Sequence, residues 1–594
     1  MTTKIKNWLT VMAMVAAVSN SSCALDEYNP SGYTMDALSN SVEGYQTILN
    51  NIYFGMERAM YGDGQFMWMT EGGTDIWTSQ KNADNLWLRY GMGSDFANNM
   101  TSGLLNAAYD GVCYCNLAIV QAEKTPFASD EERKQKVAEA YFMRAVYYYN
   151  MVEQLGGVKL QMAPVDNVDI HPGKDSPMDI YEKCIIPDLE FAAQWLPVED
   201  RTTRPSKKSA MGMLARACLQ SVEYDSSKKY VQRALEVAPE MINACKAGGA
   251  ALGVYMYDNV EDVFDENNNF ENKEALWKHR WYAGSDGHGS SNGNYKLNRN
   301  DEYFLCNVNK FGAREDNQET RLTWEGCISG IFMPTQHLLN LYVQEDGTLD
   351  PRFHESFTTE WNANKNYIWD TSAANMYDKD ESIVGTELKK GDLAIKFVMP
   401  QDEDYAEEKA NRHTSNYLMI AYDDVYNDQK HNVNMQYNGM ENQFRYFYPS
   451  LNKHNSSNYY VANASKKRNG NLNATFMMRM AEVYLIAAEA DIYINGGANA
   501  MGYINKVRAR AGAKALTGTA TVRTVLDERG RELCGEYCRF YDLKRTGMFK
   551  SSNYLEETHP DLAQFFNPNY ALRPISTTFT ATISNGAEYQ NPGY

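Results

Sequence analysis

Aromatic, amide and charged side chains share one short segment of the sequence, and this mixture of groups could bind a carbohydrate. The segment EGGTDIWTSQKNADNLWLRY is rich in glycine and asparagine and precedes the first clear helix. Flat aromatic faces can pack on the apolar C–H face of a pyranose ring, while carboxylates, amides and guanidinium groups can hydrogen-bond its hydroxyls. The candidate contacts in this segment are Asp75, Trp77, Asn82, Asn85, Trp87 and Arg89.

A second aromatic group lies in the middle of the chain, in a stretch dominated by glycine, asparagine, aspartate and aromatic residues. Its candidate contacts are Trp281, Tyr282, Tyr295 and Trp324. For each aromatic the alternative is that the ring packs beneath a loop, as Trp77 or Trp324 would if it belonged to the core. Trp361 and Trp369 are weaker candidates of the same kind.

The motifs that would indicate catalysis are missing from the sequence. It contains no His-Glu-x-x-His, no Gly-x-Ser-x-Gly and no phosphate-binding glycine-rich loop. A glycoside hydrolase would need two carboxylates facing each other across a cleft, and the 76 acidic residues single out no pair. The segment DENNNFENKE has Phe270 where a calcium loop of the EF-hand type requires glycine, so we interpret it as an acidic turn. We therefore expect a binding protein without cofactor or metal, although the absence of these motifs does not by itself exclude hydrolysis.

Composition excludes some classes of partner and leaves others open. The chain has 594 residues, with 57 basic and 76 acidic side chains and a formal net charge of −19, which disfavours nucleic acid. With 43% hydrophobic and 22% charged residues it is an ordinary globular chain. A surface glycoside hydrolase, a peptide-binding protein and an adhesive protein remain alternatives to a glycan-binding protein.

Residues 1–22 are interpreted as a signal peptide. Lys4 and Lys6 precede an apolar stretch from Trp8 to Val18, which is too short to span a bilayer. The stretch SNSSC that follows is similar to a bacterial lipoprotein cleavage box, in which Cys23 would become the lipidated first residue of the mature chain. Several acyl chains would anchor a large protein stably without any spanning helix. A plain secretory signal cleaved near Ala24 is the alternative.

The other nine cysteines are an odd number, which argues against a complete disulfide framework. Cys113 and Cys115 are too close for a structural zinc site, and Cys534 and Cys538 lie one helical turn apart. We therefore expect most of these cysteines to be small buried residues.

Periodic apolar residues predict a mainly α fold. Residues 102–155 are helical up to Gly156-Gly157, a helix capped by Ser176 runs to Pro197, and two more helices follow, the second stopping at Pro239. These helix pairs resemble degenerate tetratricopeptide units. Together the patterns predict a helical-repeat scaffold with a long loop-rich region and minor β hairpins. The predicted parts are residues 23–270, the loop-rich part 271–470, which opens on a short strand at 274–281, and residues 471–594.

Helices return in the C-terminal part. Residues from Thr475 to Gly496-Gly497 and from 499 to 513 form a predicted helix pair. The charged run LDERGRELCGEYCRFYDLKRTG follows, with Asp527 one turn before Arg531 and Glu536 near Arg539. Such a run predicts a solvated helix face with local ion pairs.

Five C-terminal blocks resemble, in order and spacing, the SusD/RagB family of Bacteroidota outer-membrane lipoproteins. They are MRMAEVYLIAAEA, INKVRARAGA, LDERGRELCGEYCRFYDLKRTG, LRPIS and the terminal QNPGY. The stretch CALDEYNPSG similarly resembles the family's lipidated cysteine with its acidic export signal. Arg529, Arg531 and Glu532 match family positions whose expected role is structural.

The resemblance implies a function as well as a fold. It implies a lipid-anchored protein that faces outward from the outer membrane, binds glycans or other nutrients and caps a SusC-like TonB-dependent transporter. It implies no catalysis. Family members carry ligand contacts in loops near the two aromatic groups described above, but no fixed ligand motif, so the residue assignments rest on position.

Overall fold

The computed structural model describes residues 38, 40–61, 64–80, 100–199, 203–281, 298, 300–314, 330–426, 432–456, 459–461, 468–565 and 567–594. The helices that form the scaffold are α1 (Val42–Asn51), α2 (Ser102–Gln121), α3 (Asp130–Leu155), α4 (Ile186–Trp195), α5 (Lys207–Gln220), α6 (Lys229–Lys246), α7 (Met480–Asn495), α8 (Ala500–Arg510), α9 (Val522–Leu533) and α10 (Arg539–Arg545). The predicted mainly α fold is confirmed.

The helical stretch predicted over 102–155 is two antiparallel helices that pack on each other. α3 begins after Ser129, whose hydroxyl accepts from the Glu132 N–H, and three acidic residues in its first turn suit the helix dipole. It ends at Gly156, where φ is +74°. From Val137 onward nearly every residue of α3 is buried, so this helix is central to the N-terminal core.

The helix predicted from Ser176 contains a wider turn near its start. Ser176 accepts from the Asp179 N–H and Pro177 occupies the first helical turn, as predicted. A π turn over Tyr181–Ile185 then precedes α4. Pro187 has no N–H to donate and its ring crowds the preceding turn, which accounts for the widening.

The prediction that Pro239 ends its helix is wrong, because α6 continues through it to Lys246. Proline removes one hydrogen bond to the preceding turn. The residues on both sides of it are buried against α5 and α7, including Val237, Met241 and Ile242, and this packing maintains the helix.

The helix predicted from Thr475 begins five residues later. Residues Thr475–Arg479 form strand β15, which pairs antiparallel with β2 (Ala275–His279), the strand expected near 274–281. α7 then runs from Met480 and ends at Gly496, which adopts the left-handed conformation. Since α7 also packs on α5 and α6, the N- and C-terminal helices share one continuous core.

Small sheets and short helices fill the part of the loop-rich region that the structure describes. The sheets pair β1 (Trp77–Thr78) with β3 (Met333–Pro334), β4 (Phe357–Thr358) with β12 (Ser450–Leu451), β6 (Tyr367–Ile368) with β7 (Glu387–Leu388), β10 (Gln436–Tyr437) with β11 (Met440–Glu441), and β13 (Tyr459–Val461) with β14 (Arg468–Asn471); β8 (Leu393–Val398) lies between β5 (Glu360–Asn362) and β9 (Leu418–Ala421).

Short helices complete the described chain. They are Phe54–Ala59, Gly64–Thr70, Pro177–Ile180, Glu261–Phe264, Asp301–Phe304, Gln336–Leu341, Arg352–Ser356, Thr371–Met376, Tyr405–Asn411, Tyr422–Val425, Ser552–Thr558, Pro560–Ala563, Thr577–Thr580 and Gly586–Tyr589.

The charged run 526–547 is largely buried, which contradicts the predicted solvated helix face. Glu532 of α9 illustrates why: its carboxylate accepts from Arg479 at 2.6 Å and from Arg352 at 2.9 Å, and it also pairs with Arg510. These arginines belong to β15, to the helix Arg352–Ser356 and to α8. The charges therefore neutralise one another across the fold, so they can be buried together.

The two local ion pairs predicted for this run do not form. Asp527 pairs instead with Arg523, and Arg531 with Glu528, both one turn away within α9. Glu536 and Arg539 pair with Arg479 and Asp75, which belong to distant segments. The structural role expected for Arg529, Arg531 and Glu532 agrees with their ion pairs.

Candidate functional site

A two-stranded sheet brings together the ends of two segments that carry predicted ligand contacts. β1 pairs antiparallel with β3, with Trp77 opposite Pro334 and Thr78 opposite Met333. The chain leaves β1 through Gln80 and approaches β3 through Gly330. Gln80, the residue before segment 81–99, therefore lies beside Gly330, the residue after segment 315–329.

Close approach of Gly330 to the Gln80 side chain, together with an arginine, fixes this junction. Gly330 has φ of +50°, and a Cβ at this position would lie 2.4 Å from Nε2 of Gln80, so glycine permits the approach. The Gln80 carbonyl accepts from Nε of the buried Arg445 at 3.0 Å. Arg445 is far from both segments in sequence and belongs to no local motif, which is why sequence reasoning missed it.

The third segment with predicted contacts, residues 282–297, starts and ends on neighbouring structure. Trp281 donates from Nε1 to the hydroxyl of Thr475 on β15 at 3.0 Å. At the other end Asn298 forms a β-bridge with Asn471 on β14. The helix Asp301–Phe304 follows, and the Tyr303 carbonyl accepts from the Phe332 N–H at 2.7 Å, just before β3.

Seven of the ten predicted ligand contacts lie outside the described residues. They are Asn82, Asn85, Trp87, Arg89, Tyr282, Tyr295 and Trp324, and their role stays a prediction. Cys23 also lies outside the described residues. The structure describes the other three, and it places all three in the interior.

Trp77 is a core residue and presents no face to a ligand. Its side chain has no exposed surface, its ring packs 4.8 Å from that of Phe304, and Nε1 donates to Glu71 Oε2 at 2.8 Å. The backbone carbonyl of Trp77 lies 3.2 Å from Nε2 of the buried His559. Trp77 therefore packs in the core, which is the alternative to a ligand contact.

Asp75 is likewise an interior residue, held in a buried ion pair. Its two carboxylate oxygens accept from Arg539 at 2.7 and 2.5 Å, and the Tyr554 hydroxyl donates to it at 2.6 Å. Burial alone would raise the pKa of the Asp75 carboxyl, but the Arg539 guanidinium outweighs burial and lowers that pKa to about 2. Asp75 is therefore charged and fixes the approach to β1.

Glu71 is a buried carboxyl that sequence reasoning did not single out. It accepts from the Trp77 ring N–H, and from the backbone N–H groups of Gly535, Cys538 and Arg539 at 3.1–3.4 Å. Burial raises the pKa of Glu71 to about 7, although these four donors favour its charged form. The contacts connect the helix before β1 to the turn between α9 and α10.

Trp281 is also buried, at 3% exposure, with its Nε1 bonded to Thr475 as described above. Its ring lies edge-on against His279, at 4.5 Å between centroids. The ligand contact predicted at Trp281 is therefore replaced by a packing role at the start of the third segment. The weaker candidates Trp361 and Trp369 are core residues too, at 2% and 1% exposure.

A large polar groove elsewhere on the described surface offers no aromatic platform. Its cavity volume is about 930 Å³, and its walls include Thr358, Gln401 and Asn452. The two phenylalanines beside it, Phe357 and Phe397, are 2% and 1% exposed, so neither can stack on a sugar. The groove can offer hydrogen bonds but no exposed aromatic face, which makes it a poorer carbohydrate site than the segments with the predicted aromatic contacts.

The described residues contain no group of three or more histidine, cysteine, aspartate or glutamate side chains placed to hold a metal ion. In the segment interpreted as an acidic turn, Asp265 accepts from the Asn267 N–H at 2.9 Å, as a turn-forming aspartate does. The eight cysteines that the structure describes are all free, and most are buried, as expected. None of the described helices is long and apolar enough to cross a membrane.

Comparison with known proteins identifies the family. The model of the SusD family matches residues 273–594, which is more than half of the chain. The chain belongs to the SusD family. A second family model, described as "Starch-binding associating with outer membrane", matches residues 25–219.

Individual SusD relatives are similar to this chain over stretches of different length. SusD-like protein P25 of Formosa agariphila is 25% identical over 482 residues, covering 78% of this chain and 73% of that protein. The starch-binding protein SusD of Bacteroides thetaiotaomicron is 43% identical over 79 residues, covering 13% of this chain and 14% of that protein.

Solved structures agree on the SusD fold. A laminarin-binding SusD-like protein superposes with a TM-score of 0.60 at 20% identity, covering 93% of this chain and 100% of that one. A SusD homologue from Bacteroides thetaiotaomicron superposes with a TM-score of 0.67 at 17% identity, covering 95% and 99%. The tetratricopeptide-like scaffold predicted from the helix pairs is therefore the fold of this chain.

Proposed function

We propose that this protein is a cell-surface glycan-binding lipoprotein that captures oligosaccharides or polysaccharides and delivers them to a TonB-dependent outer-membrane transporter. The observation that carries the proposal is the pairing of β1 with β3. Beside this pair Gln80, which precedes the segment with Trp87, contacts Gly330, which follows the segment with Trp324. Two tryptophans that are remote in sequence can then serve one ligand.

The buried ion pair and the buried carboxyl give this site its support. Asp75 with Arg539, and Glu71 with the turn after α9, fix the strand from which the first segment leaves. A site whose supporting residues are fixed by the core loses less conformational entropy when a ligand binds. Stacking contacts in a shallow wet site compete with water, so we expect weak affinity and ready release toward the transporter.

The comparisons support a glycan as ligand and the outer membrane as location. One matching family model is described as starch-binding and outer-membrane-associated, and one structural neighbour is named as laminarin-binding. We propose that this chain binds a glycan of its own without cleaving it. Cys23 is the proposed lipid anchor, and Asn82, Asn85, Arg89, Tyr282 and Tyr295 are further proposed contacts.

The glycan site is tested by replacing Trp87 and Trp324 together with alanine. Electrophoresis through gels containing laminarin, starch or another polysaccharide should show retardation of the wild type and loss of that retardation in the double variant. Tyr255→Ala, which removes a ring that is 39% exposed outside the site, is the matched control and should be retarded like the wild type. Unfolding in urea should be unchanged in all three proteins.

Three results would count against this proposal. Retardation that survives the double substitution would place the site elsewhere. Release of reducing ends from the polysaccharide by the purified protein would favour a hydrolase. A wild type that no polysaccharide retards would favour a peptide-binding or adhesive function.

The anchor is tested separately by Cys23→Ala. The variant should lose lipid labelling and appear outside the membrane fraction, because acyl chains on Cys23 are the proposed attachment. Unaltered membrane fractionation would refute the anchor and leave the glycan site untouched.

A further inference from the structure

Residues 158–175, which connect α3 to the helix at Pro177, form an extended segment that we call the strap. The strap carries four large hydrophobic side chains in the solvent: Met162, Val165, Val168 and Ile170, exposed by 39%, 58%, 89% and 62%. Exposed apolar side chains this close together are unusual on a soluble surface and mark interaction sites.

The backbone of the strap is fixed near its start by two buried residues, which form three hydrogen bonds with it. The Tyr148 hydroxyl accepts from the Gln161 N–H at 2.6 Å. The Asn116 amide donates to the carbonyls of Gln161 and Ala163, at 2.9 and 3.2 Å. Met162 lies between these two anchored residues.

The far end of the strap is fixed by the C-terminal segment. The Ser584 N–H donates to the Ile170 carbonyl at 2.7 Å, and the Asn585 amide donates to the Pro172 carbonyl at 3.0 Å. The strap is therefore tied at both ends while its apolar side chains point outward. When a surface is already ordered, little conformational entropy is lost as a partner binds to it.

One exposed residue of α2 extends this apolar surface. Val120, exposed by 41%, lies one helical turn beyond Asn116 and on the same helix face. Together with the four strap residues it makes five of the 13 large hydrophobic residues that are exposed in the described part of the chain. This concentration distinguishes the strap from isolated surface hydrophobics, which need no explanation.

The proposed membrane tether approaches the molecule at the same helix. α1 packs on α2, and the Tyr45 hydroxyl of α1 donates to the Ala118 carbonyl of α2, two residues before Val120. Leu38, which precedes α1, follows Cys23 by 15 residues. A stretch of that length spans at most roughly 50 Å, so a lipid on Cys23 would keep the start of α1 within about that distance of the membrane.

The charges of the strap favour a protein partner over the lipid surface. Residues 158–175 contain Lys159 and Lys174 together with Asp166, Asp169 and Asp175, and Lys159 lies 3.9 Å from Asp169. The strap therefore carries no polybasic cluster of the kind that binds anionic headgroups. A protein face that presents apolar side chains would complement its four exposed ones.

We propose that the strap and Val120 form the surface that docks on the partner transporter. This inference rests on the proposed delivery of ligand to a TonB-dependent outer-membrane transporter. Burial of Val168 and Ile170 against the transporter would hold the two proteins together.

The test is Val168→Asp with Ile170→Asp in the full-length chain, expressed in its own bacterium and purified from detergent-solubilised outer membranes. We expect the wild type to co-purify a TonB-dependent transporter, identified by mass spectrometry, and the double variant to retain at least tenfold less. Ile368→Asp, on β6 and 60% exposed, is the matched control and should retain the transporter fully. Urea unfolding of each purified protein checks that it is folded.

The outcomes separate this surface from the function on which it rests. Equal recovery of transporter by the wild type and the double variant would overturn the docking surface alone. A wild type that brings down no transporter would overturn the proposed delivery, and the docking surface with it. Flotation with phosphatidylglycerol vesicles covers the lipid alternative: wild-type binding that the two aspartates abolish would show a membrane contact and overturn the proposal.

Discussion

The charged run of α9 and α10 and the apolar strap reverse the usual relation between residue type and exposure. Glu532 and Arg539 are 2% and 1% exposed, whereas Val168 and Ile170 are mostly in solvent. The run is buried because partners from distant segments neutralise it. The strap is exposed because its own backbone bonds hold it on the surface. Residue type alone therefore predicts neither location.

The contrast also separates stability from recognition. Buried charges that face several partners are costly to disturb one at a time, since removing one leaves its partners unpaired. Exposed apolar side chains contribute little to folding and are free for a second molecule. We expect substitutions in the two regions to have opposite signatures, and the following measurements test that expectation from the largest effect to the smallest.

Removing one charge from the buried cluster should have the largest effect. Glu532→Gln keeps the shape but leaves Arg479, Arg510 and Arg352 without their shared counter-charge, so we expect a loss of about 3–5 kcal/mol in the free energy of unfolding in urea. Glu190→Gln is the control, because its pair with Arg233 is more than one-third exposed on both sides and should cost less than about 1 kcal/mol. Equal losses would remove the distinction between buried and surface charges.

Acid should destabilise the protein partly through His454. Burial lowers the pKa of His454 to about 4, below its ordinary value of 6.5, and the neutral ring lies 2.9 Å from the Gly535 carbonyl. As the pH falls below 6.5, His454 becomes protonated in the unfolded chain but stays neutral in the folded chain. The free energy of unfolding therefore decreases until the pH reaches about 4. The loss amounts to about 3 kcal/mol.

The variant His454→Gln isolates this contribution. Its unfolding free energy, measured between pH 7 and pH 4, should fall by about 3 kcal/mol less than that of the wild type. Glu71 acts in the opposite direction, because its raised pKa stabilises the protein below pH 4.5 and that contribution is lost as the pH rises through about 7. The same Glu71 contribution is present in both proteins and cancels in the difference. Parallel pH profiles would contradict the role of His454.

Loosening the strap should have a smaller effect. Tyr148→Phe removes the hydroxyl that accepts from the Gln161 N–H. We expect a loss of about 1 kcal/mol in the free energy of unfolding and faster hydrogen exchange at the Gln161 amide. Tyr114→Phe, at an exposed position of α2, should change neither quantity. Unchanged exchange at Gln161 in the first variant would mean that the strap is held by its other contacts.

The smallest effect is expected for the exposed side chains themselves. Val168→Ser with Ile170→Ser should change the free energy of unfolding by less than about 0.5 kcal/mol, since both residues are mostly exposed already. By comparison, Val525→Ala, at a buried position of α9, should lower the free energy of unfolding by more than about 1 kcal/mol. A core-sized loss for the serine variant would show that the strap side chains pack on the protein, which would remove the contrast between the two regions.

The sequence by itself determined the elements whose signals are local. Ser176 as a cap, Gly156 and Gly496 as ends, and the helical period of α3 and α6 depend on residues within a few positions of one another. The five C-terminal blocks also indicated the family that the comparisons show. Such signals need no knowledge of what packs against them.

Tertiary structure decided which of the predicted contacts are buried. Asp75 and Trp77 have the residue types of a sugar site, yet Arg539 and Glu71 hold them in the interior, the first from more than 450 residues away. Pro239 does not end its helix, and β15 replaces the first turn of α7, because packing and strand pairing outweigh local preference. A long-range partner fixes burial and charge state, and no pattern of neighbouring residues reveals where that partner lies.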